Sequence, residues 1–348
     1  MRATPWGRLD AATLKSFGFS MARYLVTGIA GFIASQIAEA LMKQGHEVIG
    51  VDNLNAAYDV RLKQHRLQQL QRFPALTFFR MDIADRQAVQ SLAELGPYDG
   101  VFNLAARAGV RESMIDPWVF VETNLTGTLN LLDLCRQMML SGNQLVKFIL
   151  ASTSGVYGAN PPLPTPEDCE TDHPLQPYAA SKKAAEVMCH AYHYLYGIDV
   201  TVFRYFNVYG PAGRPDAIMF RLIKWVMEAM PVKIYGDGLQ TRGFTYIDDV
   251  VQGTLLGLPL KGYEIINLGG HASISIQSLL EIVEAQTGVK ARVEHLPFHR
   301  ADIVASQADI RKAERLLGWK PQVSLEEGVR RTVEWYRRER SWASLVET

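Results

Sequence analysis

Tyr178 and Lys182 stand four residues apart in YAASK, so a helix would bring a phenol and an ammonium to one side. A phenol titrating near pH 10 is a poor base at neutral pH, but a neighbouring cation favours its phenolate, which makes Tyr178 a candidate general base. Upstream, ASTSGVYG ends a β-branched run and offers Ser152, Thr153 and Ser154, hydroxyls at the strand edge that faces a ligand crevice in a parallel sheet. Near the start, TGIAGFIA sets Gly28 and Gly31 between a strand and a helix. Glycine there lets the backbone approach a pyrophosphate, and the helix N-terminus turns free amides toward that charge. Ala34 takes the place of a third glycine, and Asp52 ends the next strand about 20 residues on. Its carboxylate would accept from the adenosine ribose hydroxyls and repel a 2′-phosphate, so NAD is expected rather than NADP. The candidate cofactor set is Gly28, Gly31, Phe32, Ile33, Asp52, Asn53, Asp82, Ile83 and Ala105, joined by Tyr178 and Lys182. Asp82 and Ile83 would flank the adenine.

These side chains need a framework, and the chain alternates short apolar runs with amphipathic stretches. YLVT, EVIGVD, LTFFR, GVFNLA, KFILAS and VTVFRYF read as strands, with helices near 32–44 and 61–73 between the first of them. Runs this continuously apolar fit strands covered on both faces. The expected fold is α/β, a Rossmann-type doubly wound parallel sheet. After Tyr205 glycine and proline cluster at 210–215, with helices expected at 216–230 and 325–340. The reading is therefore an N-terminal extension at 1–20, expected to be disordered, an NAD-binding domain at 21–205 that 245–262 could rejoin, and a smaller substrate-binding lobe over most of 206–348. On the YAASK helix the core stripe is expected through Ala180, Ala184, Val187, Met188, Ala191 and Leu195. Cys189, Tyr192 and Tyr196 then form a second apolar face, which predicts a homodimer.

With 348 residues the chain is long enough for two domains. Lys plus Arg and Asp plus Glu are 36 each, so no global field draws it to nucleic acid or to an anionic membrane. Three cysteines without paired spacing indicate neither disulfides nor a zinc cluster, and a reducing cytoplasm is the expected setting. No apolar run is long enough for a transmembrane helix. Cys189, His190 and His193 fall at helical spacing but lack a carboxylate or fourth ligand, so no metal is expected.

Taken together, the glycine loop, YAASK, NLTGTLNLLD, AARAGVRES and RYFNVYGP resemble the extended short-chain dehydrogenase/reductase family, in its nucleotide-sugar 4-epimerase branch. The resemblance spans roughly residues 22–340. It implies that Thr153, Tyr178 and Lys182 are catalytic, that Asn124 supports the sheet edge, and that Arg111 and Ser113 line the sugar pocket. It further implies Asn207 against the sugar diphosphate, and Arg214, Arg242 and Asp302 on the nucleotide's phosphates and ribose. Guanidinium groups are the usual partners of such phosphates.

Dehydratases of the family carry Asp and Glu after the catalytic Thr, whereas here Ser154 and Gly155 follow. The resemblance thus implies epimerisation at carbon 4 of a UDP-sugar through a transient 4-keto form, with NAD regenerated each turn. DNLNAAYDVRLKQHRLQQL and GRPD resemble the epimerases that turn UDP-glucuronate into UDP-galacturonate, and the hydroxyls of Ser152, Thr153 and Ser154 could receive the sugar carboxylate. The chain departs from them at Asn207, Gly243 and Arg300–Ala301, where they carry Thr, Asp and Pro-Gly. Asn207 matches neutral-sugar epimerases, which keeps UDP-glucose and UDP-N-acetylglucosamine as alternative substrates. A UDP-glucuronate decarboxylase would share the ketone, and a non-catalytic dinucleotide sensor would need only the glycine loop.

Overall fold

The computed structural model describes residues 21–142, 147–298 and 303–348; the 1–20 extension, Arg300–Ala301 and Asp302 lie outside the described residues. The apolar runs form β1 (Arg23–Thr27), β2 (Glu47–Asp52), β3 (Leu76–Arg80), β4 (Gly100–Asn103), β5 (Lys147–Thr153) and β6 (Val200–Tyr205). With a seventh strand, Tyr263–Leu268, they make one sheet in the order Tyr263–Leu268, β6, β5, β4, β1, β2, β3. Each neighbouring pair is parallel. The order reverses between β1 and β4, and a crevice opens there at the carboxyl ends of the strands.

The helices that matter for the site are α1 (Phe32–Lys43), α2 (Val60–Leu70), α3 (Arg86–Ser91), α4 (Gly127–Leu140) and α5 (Pro177–Tyr196). Successive strand residues point to opposite faces. Leu25, Phe148 and Leu150 accordingly pack with Leu131, Cys135 and Cys189 of α4 and α5. Their neighbours Val26 and Ile149 pack with Ile37 and Leu41 of α1 on the other face. Val250, from the helix Ile247–Leu256, belongs to that second layer, so the chain after 245 returns to the main sheet. A separate core gathers the helices Ile218–Met227, Ile276–Thr287 and Leu325–Ala343 around Leu222, Leu279, Val329 and Tyr336.

One expectation about α5 is reversed. Val187, Tyr194 and Leu195 are exposed, while Ser181, Lys182, Ala185, Glu186 and Cys189 are the buried face. The stripe expected to be core thus looks largely outward, Met188 apart, and Cys189, expected on a second outward apolar face with Tyr192 and Tyr196, is fully buried in the core, so the face turned to the sheet is partly polar. Tyr192 and Tyr196 stack on each other with centroids 5.2 Å apart, and Tyr196 lies under the Arg136 guanidinium of α4. Among the described residues no helix is long and apolar enough to cross a membrane.

Candidate active site

A cleft of about 460 Å³ opens at the strand ends, lined among others by Gly28, Gly31, Asp52, Thr153, Tyr178, Lys182, Asn207 and Arg214. Its floor is the turn after β1. Gly28 has φ 66°, and a Cβ there would lie 2.7 Å from Ala105 Cα. A Cβ on Gly31 would lie 2.8 Å from the Gly28 carbonyl, which already accepts from Gly31 N. No side chain fits either place, so backbone amides and the start of α1 are left facing the cleft, a shape suited to a pyrophosphate. Asp52 is buried with one oxygen accepting from Ala30 N at 3.1 Å and the other from Leu54 N at 2.8 Å. Each carboxylate oxygen keeps a lone pair for a ribose hydroxyl. Asn53 donates to Asp82 at 2.7 Å, and Phe32, Ile33, Ile83 and Ala105 complete this side of the lining. The residues present fit a dinucleotide.

The catalytic candidates converge from two elements. Thr153 ends β5, and its hydroxyl accepts from Gly155 N at 3.1 Å and lines the cleft close to the Tyr178 phenol. Burial pushes that phenol above its ordinary value, while the nearby Thr153 hydroxyl and the Arg214 charge work against it and Asp216 adds to it. Lys182, one turn along α5, is 3% exposed and donates to the Ala151 carbonyl at 2.9 Å. Burial brings its ammonium down to about 8, opposed chiefly by Glu186. Asn124 lies in a π-helical stretch, Val121–Thr126, where an unwound turn lets one amide serve two elements. It accepts from Arg107 N at 2.9 Å, and donates to the Arg107 carbonyl at 3.0 Å and to Ser181 of α5 at 2.9 Å.

The opposite wall comes from the segment after β6. Asn207 holds a left-handed φ of 35° and donates to the Gly243 carbonyl at 3.0 Å. Arg214 is forked onto Asp216 and donates to the Ala108 carbonyl at 2.9 Å. Burial pulls the Asp216 carboxyl up, but the Arg214 charge and hydrogen bond outweigh it and hold it below its ordinary value. Ser154 lines the cleft. Ser152 does too, yet its hydroxyl donates to Glu186 at 2.5 Å.

Three expected substrate-binding residues stand back from the lining. Arg111 stacks 3.9 Å from the Tyr235 ring centroid, and buried Ser113 donates to the Val110 carbonyl at 2.8 Å. Ala108, Gly109 and Val110 of the same loop do face the cleft. Arg242 reaches the carbonyls of Thr241 and Val304, at 2.9 and 3.4 Å.

Other cleft residues went unremarked in the sequence. Lys63 is buried 3.8 Å from Asp52, donates to Asn55 at 3.0 Å and lies over the Tyr58 ring. Arg66, behind it, donates to the carbonyls of Ala30, Ala212 and Gly213 and to the Tyr58 hydroxyl, tying the glycine loop to the opposite wall. The signal for both was present. Lys63 and Arg66 share the buried face of α2 with Leu62, Leu67 and Leu70, and a cation on a core stripe asks for a reason.

The pattern that defines the NAD dependent epimerase/dehydratase family matches residues 24–269. A UDP-glucuronate 4-epimerase of Thermodesulfobacterium geofontis is 52% identical over 316 residues, which cover 90% of this chain and 96% of that protein. The crystal structure of a Bacillus cereus UDP-glucuronic acid 4-epimerase in complex with UDP-glucuronic acid and NAD superposes with a TM-score of 0.85. It is 36% identical, and the match covers 91% of this chain and 99% of that one. A Thermotoga maritima UDP-glucose 4-epimerase with UDP-glucose gives a TM-score of 0.83 at 34% identity, over 91% and 99% of the two chains.

Proposed function

Because the chain belongs to the NAD dependent epimerase/dehydratase family, we propose that it inverts carbon 4 of UDP-glucuronate, giving UDP-galacturonate through a transient 4-keto sugar. The 52% identical relative and the structural neighbour that binds UDP-glucuronic acid and NAD support this substrate. The observation that carries the reaction is the convergence of Thr153, Tyr178 and Lys182 beside the Gly28 cradle in one cleft.

Bound NAD, held by the Gly28–Gly31 turn, Asp52 and the Asn53–Asp82 pair, supplies the hydride acceptor and donor for carbon 4. The rest falls to this chain's residues. Thr153 holds the 4-hydroxyl toward Tyr178, whose phenolate takes the hydroxyl proton as the carbon–hydrogen pair leaves, and returns it when hydride arrives on the other face. Lys182 keeps a positive charge near that phenolate, and Asn124 steadies the start of α5 through Ser181. Arg214 leaves Asp216 to meet the diphosphate or the sugar carboxylate, and Asn207 lies alongside. Ser154 is free to receive the carboxylate, whereas the Ser152 proton is committed to Glu186. No acid pair follows Thr153, which opposes dehydration. On this reading 21–205 carries the cofactor and most of 206–348 the substrate.

Incubating the purified protein, without added NAD, with UDP-glucuronate, UDP-glucose and UDP-N-acetylglucosamine and reading products by proton NMR tests the proposal. UDP-galacturonate is expected. A 4-epimer from a neutral sugar alone would move the substrate to the class suggested by Asn207. Carbon dioxide would make the protein a decarboxylase, and no turnover at all would leave a dinucleotide sensor. A homodimer is proposed; with Cys189 of the expected face buried in the core, the exposed Val187, Tyr194 and Leu195 of α5 take that place, and equilibrium sedimentation at a dimer's mass is the expected result. The proposed setting is the cytoplasm, where Cys135, Cys169 and Cys189 stay free thiols.

A further inference from the structure

We propose that Glu186 is a positioning residue for the reaction proposed above. Its carboxylate, clamped between Ser152 and Arg204, holds the end of β5 in register with α5 and keeps Lys182 charged beside Tyr178.

The geometry is a ladder of three rungs. Ala151, Ser152 and Thr153 are consecutive, and Tyr178, Lys182 and Glu186 follow each other one helical turn apart. The Thr153 hydroxyl lies close to the Tyr178 phenol in the cleft, the Ala151 carbonyl accepts from Lys182 at 2.9 Å, and Ser152 donates to Glu186 at 2.5 Å. The third rung is the one with charge. Glu186 Oε1 also accepts from Arg204 Nε at 3.0 Å, and Oε2 from Arg204 Nη2 at 2.7 Å. Arg204 is itself fixed, donating to the Glu167 carbonyl at 3.1 Å and lying 4.8 Å from the Tyr157 ring centroid. Glu186 and Arg204 are each 1% exposed.

A buried ion pair of this kind contributes little net stability compared with apolar packing. Its effect on neighbours is larger, because charge is poorly screened in a dry interior. Burial drives Lys182 toward the neutral amine, and Glu186 is the main group opposing it, with Cys189 on the same helix adding less. The other titratable and charged groups around the ladder come from different elements. Tyr263 donates to the Glu186 backbone carbonyl at 3.0 Å, Cys135 of α4 couples to Cys189, and Arg214 and Asp216 face the phenol from the far wall. Among these neighbours Glu186 is the anion that bonds the strand end and whose charge favours the Lys182 ammonium.

The test is Glu186→Gln, read two ways. In the holoenzyme without sugar, the Tyr178 phenol is titrated by tyrosinate absorbance, as the difference between each protein and its Tyr178→Phe partner. With sugar, kcat is followed against pH. Loss of the carboxylate is expected to move the alkaline limb of kcat down by about one pH unit and the phenol midpoint up. Ser152→Ala removes a rung but no charge, and should lower kcat about tenfold at unchanged KM with the limb in place. A uniform loss at every pH with an unmoved phenol would make Glu186 merely structural and overturn the electrostatic role. Unchanged kcat in Ser152→Ala would overturn the registry role, whether or not Glu186→Gln folds. If the wild type turns over no UDP-sugar, the functional reading fails, while the phenol titration still decides the role of Glu186.

Discussion

The two walls of the cleft are built in different ways. On the cofactor side the polar groups are tied to the framework: Asp52 accepts two backbone amides, Asn53 bonds Asp82, and Arg66 is spent on three carbonyls and a phenol. On the sugar side one charged pair stands in the cleft lining. Arg214 is paired with Asp216. The first wall is preorganised by backbone shape, and binding there costs little ordering. The second must exchange partners when an anion arrives, so its contacts are set by competition. That contrast suits a cofactor retained through many turnovers facing a substrate that comes and goes.

The contrast can be broken at several points. The largest expected effect is in Tyr178→Phe, where kcat should fall on the order of 10²–10⁴-fold while NAD still co-purifies, measured by NMR of products and by absorbance of the released dinucleotide. Persistent turnover would remove the phenol from the chemistry. Next comes Gly28→Ala, whose Cβ meets Ala105 backbone at 2.7 Å in a left-handed turn. It should cost about 1–2 kcal/mol of stability and abolish NAD retention. Calorimetric binding of free UDP should survive, and NAD retained at wild-type levels would show the cofactor wall to be less rigid than described. Arg214→Gln should raise KM about tenfold or more at unchanged NAD content. Asp216→Asn sharpens the competition argument by releasing Arg214, and a KM about fivefold lower is expected, equivalent to one hydrogen bond no longer to be broken.

The smallest effect is in pH. Lys182 is lowered from its ordinary value to about 8, so its ammonium is present below that pH and lost above it. Support for the phenolate goes with it, and kcat should decline as the pH rises through about 8. A plateau extending well beyond would mean that the ammonium does not matter.

Much of the framework was legible because its cause is local. Continuous apolar runs mark strands covered on both faces, and each of the six read that way sits in the sheet. The Gly28–Gly31 turn was legible because only glycine tolerates its conformation and close approach. The buried face of α5 was not. Counting apolar residues around the helix favoured Val187 and Leu195, whereas the face turned inward is the one carrying Lys182 and Glu186, whose charges are compensated by β5 and β6. The Ser152 hydroxyl was read as sugar-facing for the same reason, since its carboxylate partner lies 34 residues away.

What the sequence determined alone is the set of positions whose residue type is dictated by backbone shape or by two-sided burial: the strands, the glycine turn, the acid ending β2 and the tyrosine–lysine spacing. Tertiary structure alone decided which distant charges face each other, including Lys63 near Asp52, and Glu186 between Ser152 and Arg204. The physical reason is range. Conformational preference acts over a few neighbouring residues, whereas a buried charge is paired by whatever the fold carries to within a few ångströms of it.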